Sequence, residues 1–194
     1  MAFDPGATST AFGFLTVVEH PQLGLFGGYL VLNTSGRPIE FHCTAPLKPN
    51  RAQEILYGPT LKPYLYGEQI GRALVTKATT AAVTICTDCE PVLELRELLP
   101  TPVVLVISAG PAAEFPTGTS PPSTTGERPS SGSAAISGLR TLDCGRNRLA
   151  VRRSHSADAD TAAIQLAELG ESFDLTEPFG RIRDAIEEAQ RSSR

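Results

Sequence analysis

Residues 84–97 read TICTDCEPVLELRE and hold the only Cys-x-x-Cys of the chain, Cys86 and Cys89. Three arrangements produce such a stretch: a metal knuckle, a redox pair, or a strand that runs into a helix with an acid set between two thiols. The third makes the chain an α/β protein, and the local residues favour it. Thr87 followed three positions later by Glu90 has capping-box spacing. Pro91 is tolerated in a first helical turn, where its missing N–H would be unbonded anyway. A free Cys packs as a small hydrophobe, so Cys86 can be the last core residue of the strand AAVTICT (81–87) while Cys89 packs in the first turn of the helix that continues as EPVLELREL (90–98). Val92, Leu95, Leu98 and Leu99 then face inward.

The competing arrangements need more than this motif supplies. Zinc requires two further ligands, and the candidates Cys43, Cys144, His20, His42 and His155 show no second paired spacing. His42 and Cys43 are neighbours in a strand, so they point to opposite faces and at most one could serve. A redox pair is better matched, because strand, Cys-x-x-Cys and helix place a thiolate at a positive helix end. Asp88 sets a carboxylate against that thiolate, however, and no thioredoxin-like element order precedes it.

Outward from this stretch, strands are expected at 12–19, 28–33 and 38–44, with Thr34-Ser35-Gly36 as a hairpin turn and Gly36 at positive φ. In PLKPNRAQEILYGPTLKPYLYGEQIGRALVTKA (46–78), Gly58, Pro59 and Pro63 split the helical pattern. The second piece, 65–78, carries Leu65, Ile70, Leu74 and Val75 near helical spacing. TPVVLVIS (101–108) is apolar throughout, as a strand covered on both faces must be. RNRLAVRRSH (146–155) adds a strand and ADTAAIQLAELG (159–170) a helix stopped by Gly170. The last helix spans 176–191, with Thr176 as N-cap and Phe179, Ile182 and Ile186 on one face. Between these parts, residues 110–138 are mostly Gly, Pro, Ser, Thr and Ala, too poor in apolar surface to offset the entropy of ordering. The expected organisation is an N-terminal body (12–109), a disordered insert (110–138) and a C-terminal piece (139–194) completing the same domain.

The chain of 194 residues has a formal net charge of −4 and lacks the bulk positive charge of a dedicated nucleic-acid binder. A local contact with nucleic acid is open to Arg146, Arg148, Arg152 and Arg153, the densest positive cluster. Lys48, Arg51, Lys62, Arg72 and Lys77, interleaved with Tyr57, Tyr64 and Tyr66, read as a solvated face or a single-strand binding surface. No apolar run approaches the roughly 20 residues needed to span a bilayer. Asp4 stands where a secretory signal carries positive charge. The expectation is a cytoplasmic protein with reduced thiols, no membrane contact and a protein partner. No Gly-x-Ser-x-Gly or phosphate-loop lysine motif is present.

Several segments resemble the ribonuclease H-like family. GLFGGYLVL (24–32) is similar to its Gly-Gly-Tyr second strand, NRAQEIL (50–56) to its Asn-Arg-x-Glu helix start, ICTDCEPVL (85–93) to its strand-ending Thr-Asp-Ser, and SHSADADTAAIQLA (154–167) to its late His and Ala-Asp helix. The element order resembles it too: three antiparallel strands, a helical segment, a strand ending in Thr-Asp, then alternating helix and strand. The resemblance implies carboxylates gathered around two magnesium ions, and residue by residue these are Glu19, Glu54 and Asp88, with His155 and Asp160 as late candidates. Glu19 stands where the family has Asp-Gly, and Glu54 lies one residue beyond the family spacing, where Gln53 falls instead. The fold expected is therefore ribonuclease H-like α/β, with a profilin- or roadblock-like antiparallel sheet flanked by helices as the alternative. The function expected is a non-catalytic binding or regulatory module without cofactor. The alternative is a divergent nuclease using magnesium at Glu19, Glu54 and Asp88.

Overall fold

Ala11 to Val17 read AFGFLTV, with only Thr16 polar, so this strand has no face to offer water and must be covered on both sides. The computed structural model describes residues 10–107, 138–170 and 173–192 and does so. β1 (Ala11–His20) is an interior strand of a seven-stranded mixed sheet of order β3-β2-β1-β4-β5-β7-β6. β2 (Gly24–Asn33) and β3 (Pro38–Cys43) extend it on one side as an antiparallel meander. On the other side β4 (Thr84–Thr87) and β5 (Val103–Ile107) run parallel to β1. The antiparallel hairpin of β6 (Leu139–Cys144) and β7 (Asn147–Arg152) closes that edge, with β7 against β5. A wholly antiparallel sheet, as in the profilin- or roadblock-like alternative, is thus not the arrangement found.

Helical elements cover both faces. On one, α4 (Asp158–Leu166) and α5 (Glu177–Ser192) lie over Phe12, Phe14, Leu30 and Cys86. On the other, a π-helical segment (Tyr64–Gly71), α3 (Arg72–Lys77) and a 3-10 helix (Glu90–Glu97) lie over Leu15, Val17, Tyr29 and Ile85. α1 (Arg51–Tyr57) and the short turn α2 (Leu61–Pro63) lead into the π-helical segment, and α1 buries none of its residues. Among the described residues no helix is long and apolar enough to cross a membrane.

The Gly-Gly of β2 lets both layers approach. A Cβ on Gly27 would lie 2.1 Å from Ile70 Cγ2, and one on Gly28 would lie 2.3 Å from Ile182 Cγ2 on the other face. Two adjacent glycines, pointing opposite ways as neighbours in a strand do, seat one helix on each side. Gly36 takes the expected turn conformation at φ 71.

Several local expectations change. β6 was not anticipated, because Arg140, Thr141 and Asp143 make it an exposed edge strand with little apolar signature. The segment after β4 is a 3-10 helix, so Glu90 is its first residue and no capping box forms. Thr87 Oγ1 instead accepts the Cys89 N–H at 3.1 Å. The helix ends at Glu97, which leaves Leu98 exposed beyond it. A capping box does occur at Asn50 and Gln53, which opens α1. Thr176 precedes α5, and its hydroxyl donates to Asp174. The expected disordered insert lies outside the described residues except for Gly138.

Gly27→Ala and Gly28→Ala should each destabilise by about 1–3 kcal/mol through overpacking. Urea unfolding checks this, and an unchanged midpoint for both would mean the two helices are not seated on the strand.

A second expectation comes from Glu40, whose carboxylate accepts from Thr79 N–H (2.9 Å), Thr80 N–H (3.0 Å) and the Thr79 hydroxyl, and pairs with His42. The Thr79 backbone bond first, then His42 and Thr80, hold its pKa down to about 2 from an ordinary 4.5. A carboxyl depressed by folding stabilises fully above its unfolded pKa and loses that contribution as pH falls through the folded value. Glu40→Gln should lower the melting temperature at neutral pH, and the difference from the parent should shrink as pH falls from 4.5 towards 2.

Candidate functional site at the carboxyl ends of the parallel strands

In open α/β sheets, ligand sites collect beyond the carboxyl ends of parallel strands. Here β1 and β4 pair as far as Leu15 and Thr87, so Thr16 and Asp88 are the next residues along. Thr16 and Thr87 are fully buried, and Thr16 Oγ1 lies 3.8 Å from Cys89 Sγ.

Strand alternation sends the two acids at this end apart. Glu19 follows Leu15 and Val17 onto the face of the π-helical segment, where its carboxylate accepts from the Tyr66 hydroxyl and from Lys62 Nζ at 3.1 Å. The Tyr66 bond first, then Lys62, hold the Glu19 carboxyl below its usual range. Burial, followed by Glu19, pushes the Tyr66 phenol up. Asp88 instead follows Cys86 to the α4/α5 face and forms an ion pair with Arg183 of α5. Its side chain is 14% exposed and that of Arg183 46%.

The third carboxylate, Glu54, lies on α1 and pairs with Arg51 at 3.0 Å, partly exposed to solvent. Gln53 is occupied in the capping box. Of the late candidates, His155 bonds Glu97 at 2.9 Å and Asp160 pairs with Arg140 at 3.2 Å. Each expected site residue thus has its own protein partner. Among the described residues, no group of three or more His, Cys, Asp and Glu side chains is placed to hold a metal ion.

The two thiols of the opening motif also part. Cys86 is fully buried in the core beneath α4 and α5, and burial raises its pKa. Cys89 packs into the opposite core beside the 3-10 helix, with Sγ 3.7 Å from Val17 O and 3.4 Å from Asp88 Oδ1. Burial and then the Asp88 charge push it up to about 11. A thiol so raised is a poor nucleophile and a poor metal ligand at neutral pH. All four cysteines are free.

Two cavities meet at Lys62, and only the second lies at this end of the sheet, because Leu139 and Arg152, which line the first, pair with each other towards the amino end of β5. One of about 700 Å³ is lined by Lys62, Glu90, Leu139, Arg152 and Arg153. Another, of about 460 Å³, is lined by Glu19, His20, Leu25, Lys62 and Tyr66, so Lys62 borders both. The basic cluster is not one patch. Arg146 and Arg152 lie at opposite ends of β7, roughly 20 Å apart at strand rise. Arg152 pairs with Glu94 at 2.6 Å, Arg153 Nε donates to Leu139 O at 3.3 Å, and Arg148 sits across from Asp143. The interleaved tyrosines are engaged as well: Tyr57 stacks on Tyr64 at 4.3 Å and Tyr66 is buried.

Sequence reading singled out Glu19 and Asp88 but not their partners. Arg183 and Lys62 lie 95 and 43 positions away, and nothing local marks them as partners. Comparison with protein-family models, with curated proteins and with solved structures finds no match.

Thiol labelling tests this geometry. At about pH 8, iodoacetamide should alkylate exposed Cys43 well before Cys89, and should leave Cys86 untouched until the protein unfolds. Rapid native-state labelling of Cys89 would contradict the packing described.

Proposed function

We propose that this chain is a non-catalytic binding module built on a ribonuclease H-like sheet. The strand order β3-β2-β1-β4-β5, with an antiparallel meander followed by parallel strands, supports the resemblance. The observation that carries the reading is the ion pair between Asp88 and Arg183. A guanidinium stands where the resemblance implies a magnesium ion. Glu19 is directed to the other face and neutralised by Lys62. Carboxylates dispersed in this way do not fit a pair of ions about 3.5–4 Å apart. What remains at the strand ends is a folded scaffold with one charged cavity, suited to contact with a protein partner.

Asp88→Asn separates this reading from a nuclease. Here the substitution removes one partner of a half-buried ion pair, and stability should fall by about 1–2 kcal/mol, between exposed and buried pairs. Magnesium should not raise the melting temperature of the parent, and the parent should not cleave an RNA–DNA hybrid. In a metal site the same change would relieve repulsion among clustered carboxylates. A higher melting temperature for Asp88→Asn, with magnesium stabilisation present in the parent and lost in the variant, would overturn the proposal.

A further inference from the structure

The sheet has two edges, and the chain treats them differently. β6 is guarded: Arg140, Thr141 and Asp143 are exposed along it, and Arg140 reaches across to Asp160 and Ser156 O. Charges of this kind keep an edge from pairing with other strands. β3 presents Ile39 and Phe41 to solvent, 44% and 38% exposed. Its own acid does not guard it, because Glu40 is turned onto Thr79 and Thr80 on the opposite face of the strand. Beside the edge, a cavity of about 410 Å³ is lined by Leu23, Phe26, Cys43, Pro46 and Ile186, which continues the apolar strip.

The backbone of this edge is self-complementary. Thr44 N–H bonds Gly27 O at 3.0 Å, and alternation along an antiparallel pair then turns the polar groups of Thr44, His42 and Glu40 towards β2. Those of Cys43, Phe41 and Ile39 face outward. The β2–β3 register passes from Val31–Glu40 to Leu32–Pro38, so Ile39 is the bulged residue; the bulge and Pro38 blunt the start of the edge, and regular pairing runs over residues 40–43. Phe41 is the large exposed apolar residue within that run.

We propose that β3 pairs antiparallel with β3 of a second copy of this chain, Phe41 opposite Phe41 across a two-fold axis. In this register Ile39 lies opposite Cys43, which keeps one face apolar throughout. On the other face Glu40, which keeps its bonds to Thr79, Thr80 and its own His42, lies opposite His42 of the mate, so no two acids face each other. An isologous contact demands such agreement of a surface with itself. A foreign strand would have to supply both the apolar alternation and the charge order. Strand addition of this kind draws its affinity from main-chain hydrogen bonds and its register from alternate side chains. The inference concerns a different edge from Asp88 and stands whether or not the strand ends carry chemistry.

Sedimentation equilibrium of the full chain over a range of concentrations should show a monomer–dimer equilibrium. Phe41→Lys sets two ammonium groups face to face and should weaken the dimer by about tenfold or more, with an unchanged circular dichroism spectrum. The register has its own test. Directly opposed residues in a hydrogen-bonded pair lie about 5.5 Å apart at Cα, within disulfide reach. Phe41→Cys in a Cys43→Ser background should therefore give a disulfide-linked dimer on mild oxidation, whereas the parent Cys43 should not. A parent that stays monomeric at the highest attainable concentration would overturn the proposal. So would a dimer indifferent to Phe41→Lys, or one cross-linked through Cys43 alone. If a monomeric parent bound an extended peptide that protected the β3 amides from exchange, the edge would belong to a foreign strand instead.

Discussion

Everything in this structure follows from β1 being apolar on both faces. A strand with no side for water has to be central, and it needs a helical layer above and below it. β2 meets both layers with Gly27 and Gly28, which admit Ile70 from one side and Ile182 from the other. Lateral neighbours are then fixed: the meander on one side, and β4 and β5 parallel on the other. The carboxyl ends of three parallel strands therefore lie together, beside the cavity lined by Glu19, Lys62 and Tyr66.

Side-chain alternation decides what that end of the sheet can do. Glu19 and Asp88 are near in sheet position, yet one follows Leu15 and Val17 and the other follows Cys86, so they leave the sheet on opposite faces. Each meets a cation of its own, Lys62 or Arg183. The same alternation separates Cys86 from Cys89 into two cores. A motif that reads as paired in the chain is unpaired in space. Further ion pairs, Arg152 with Glu94 and Arg96 with Asp158 at 2.6 Å, fasten the 3-10 helix to β7 and to α4. The positive cluster near residue 150 is thus partly spent in holding layers together.

Much of the fold was legible in the chain, for physical reasons that differ by element. The meander declared itself through β-branched and aromatic runs punctuated by Gly, and the final helix through the spacing of Phe179, Ile182 and Ile186, all buried. β6 did not, because an edge strand needs few apolar residues and Arg140 and Asp143 mask those it has. The 3-10 and π-helical character of residues 90–97 and 64–71 was also hidden. The two segments touch at Gly67, where a Cβ would lie 2.7 Å from that of Glu94. At the candidate site, Asp88 stood out as the acid between two thiols. Its partner Arg183 did not, because no local pattern encodes an ion pair formed by tertiary packing.

The central claim is that the Asp88 charge is committed to Arg183. A double-mutant cycle with Asp88→Asn and Arg183→Met, followed by urea unfolding at neutral pH, measures that commitment directly. The account predicts a favourable coupling energy of about 1–2 kcal/mol, reduced only modestly by added salt because Asp88 is largely buried. A coupling energy near zero, with Asp88→Asn stabilising the chain in both backgrounds, would contradict it.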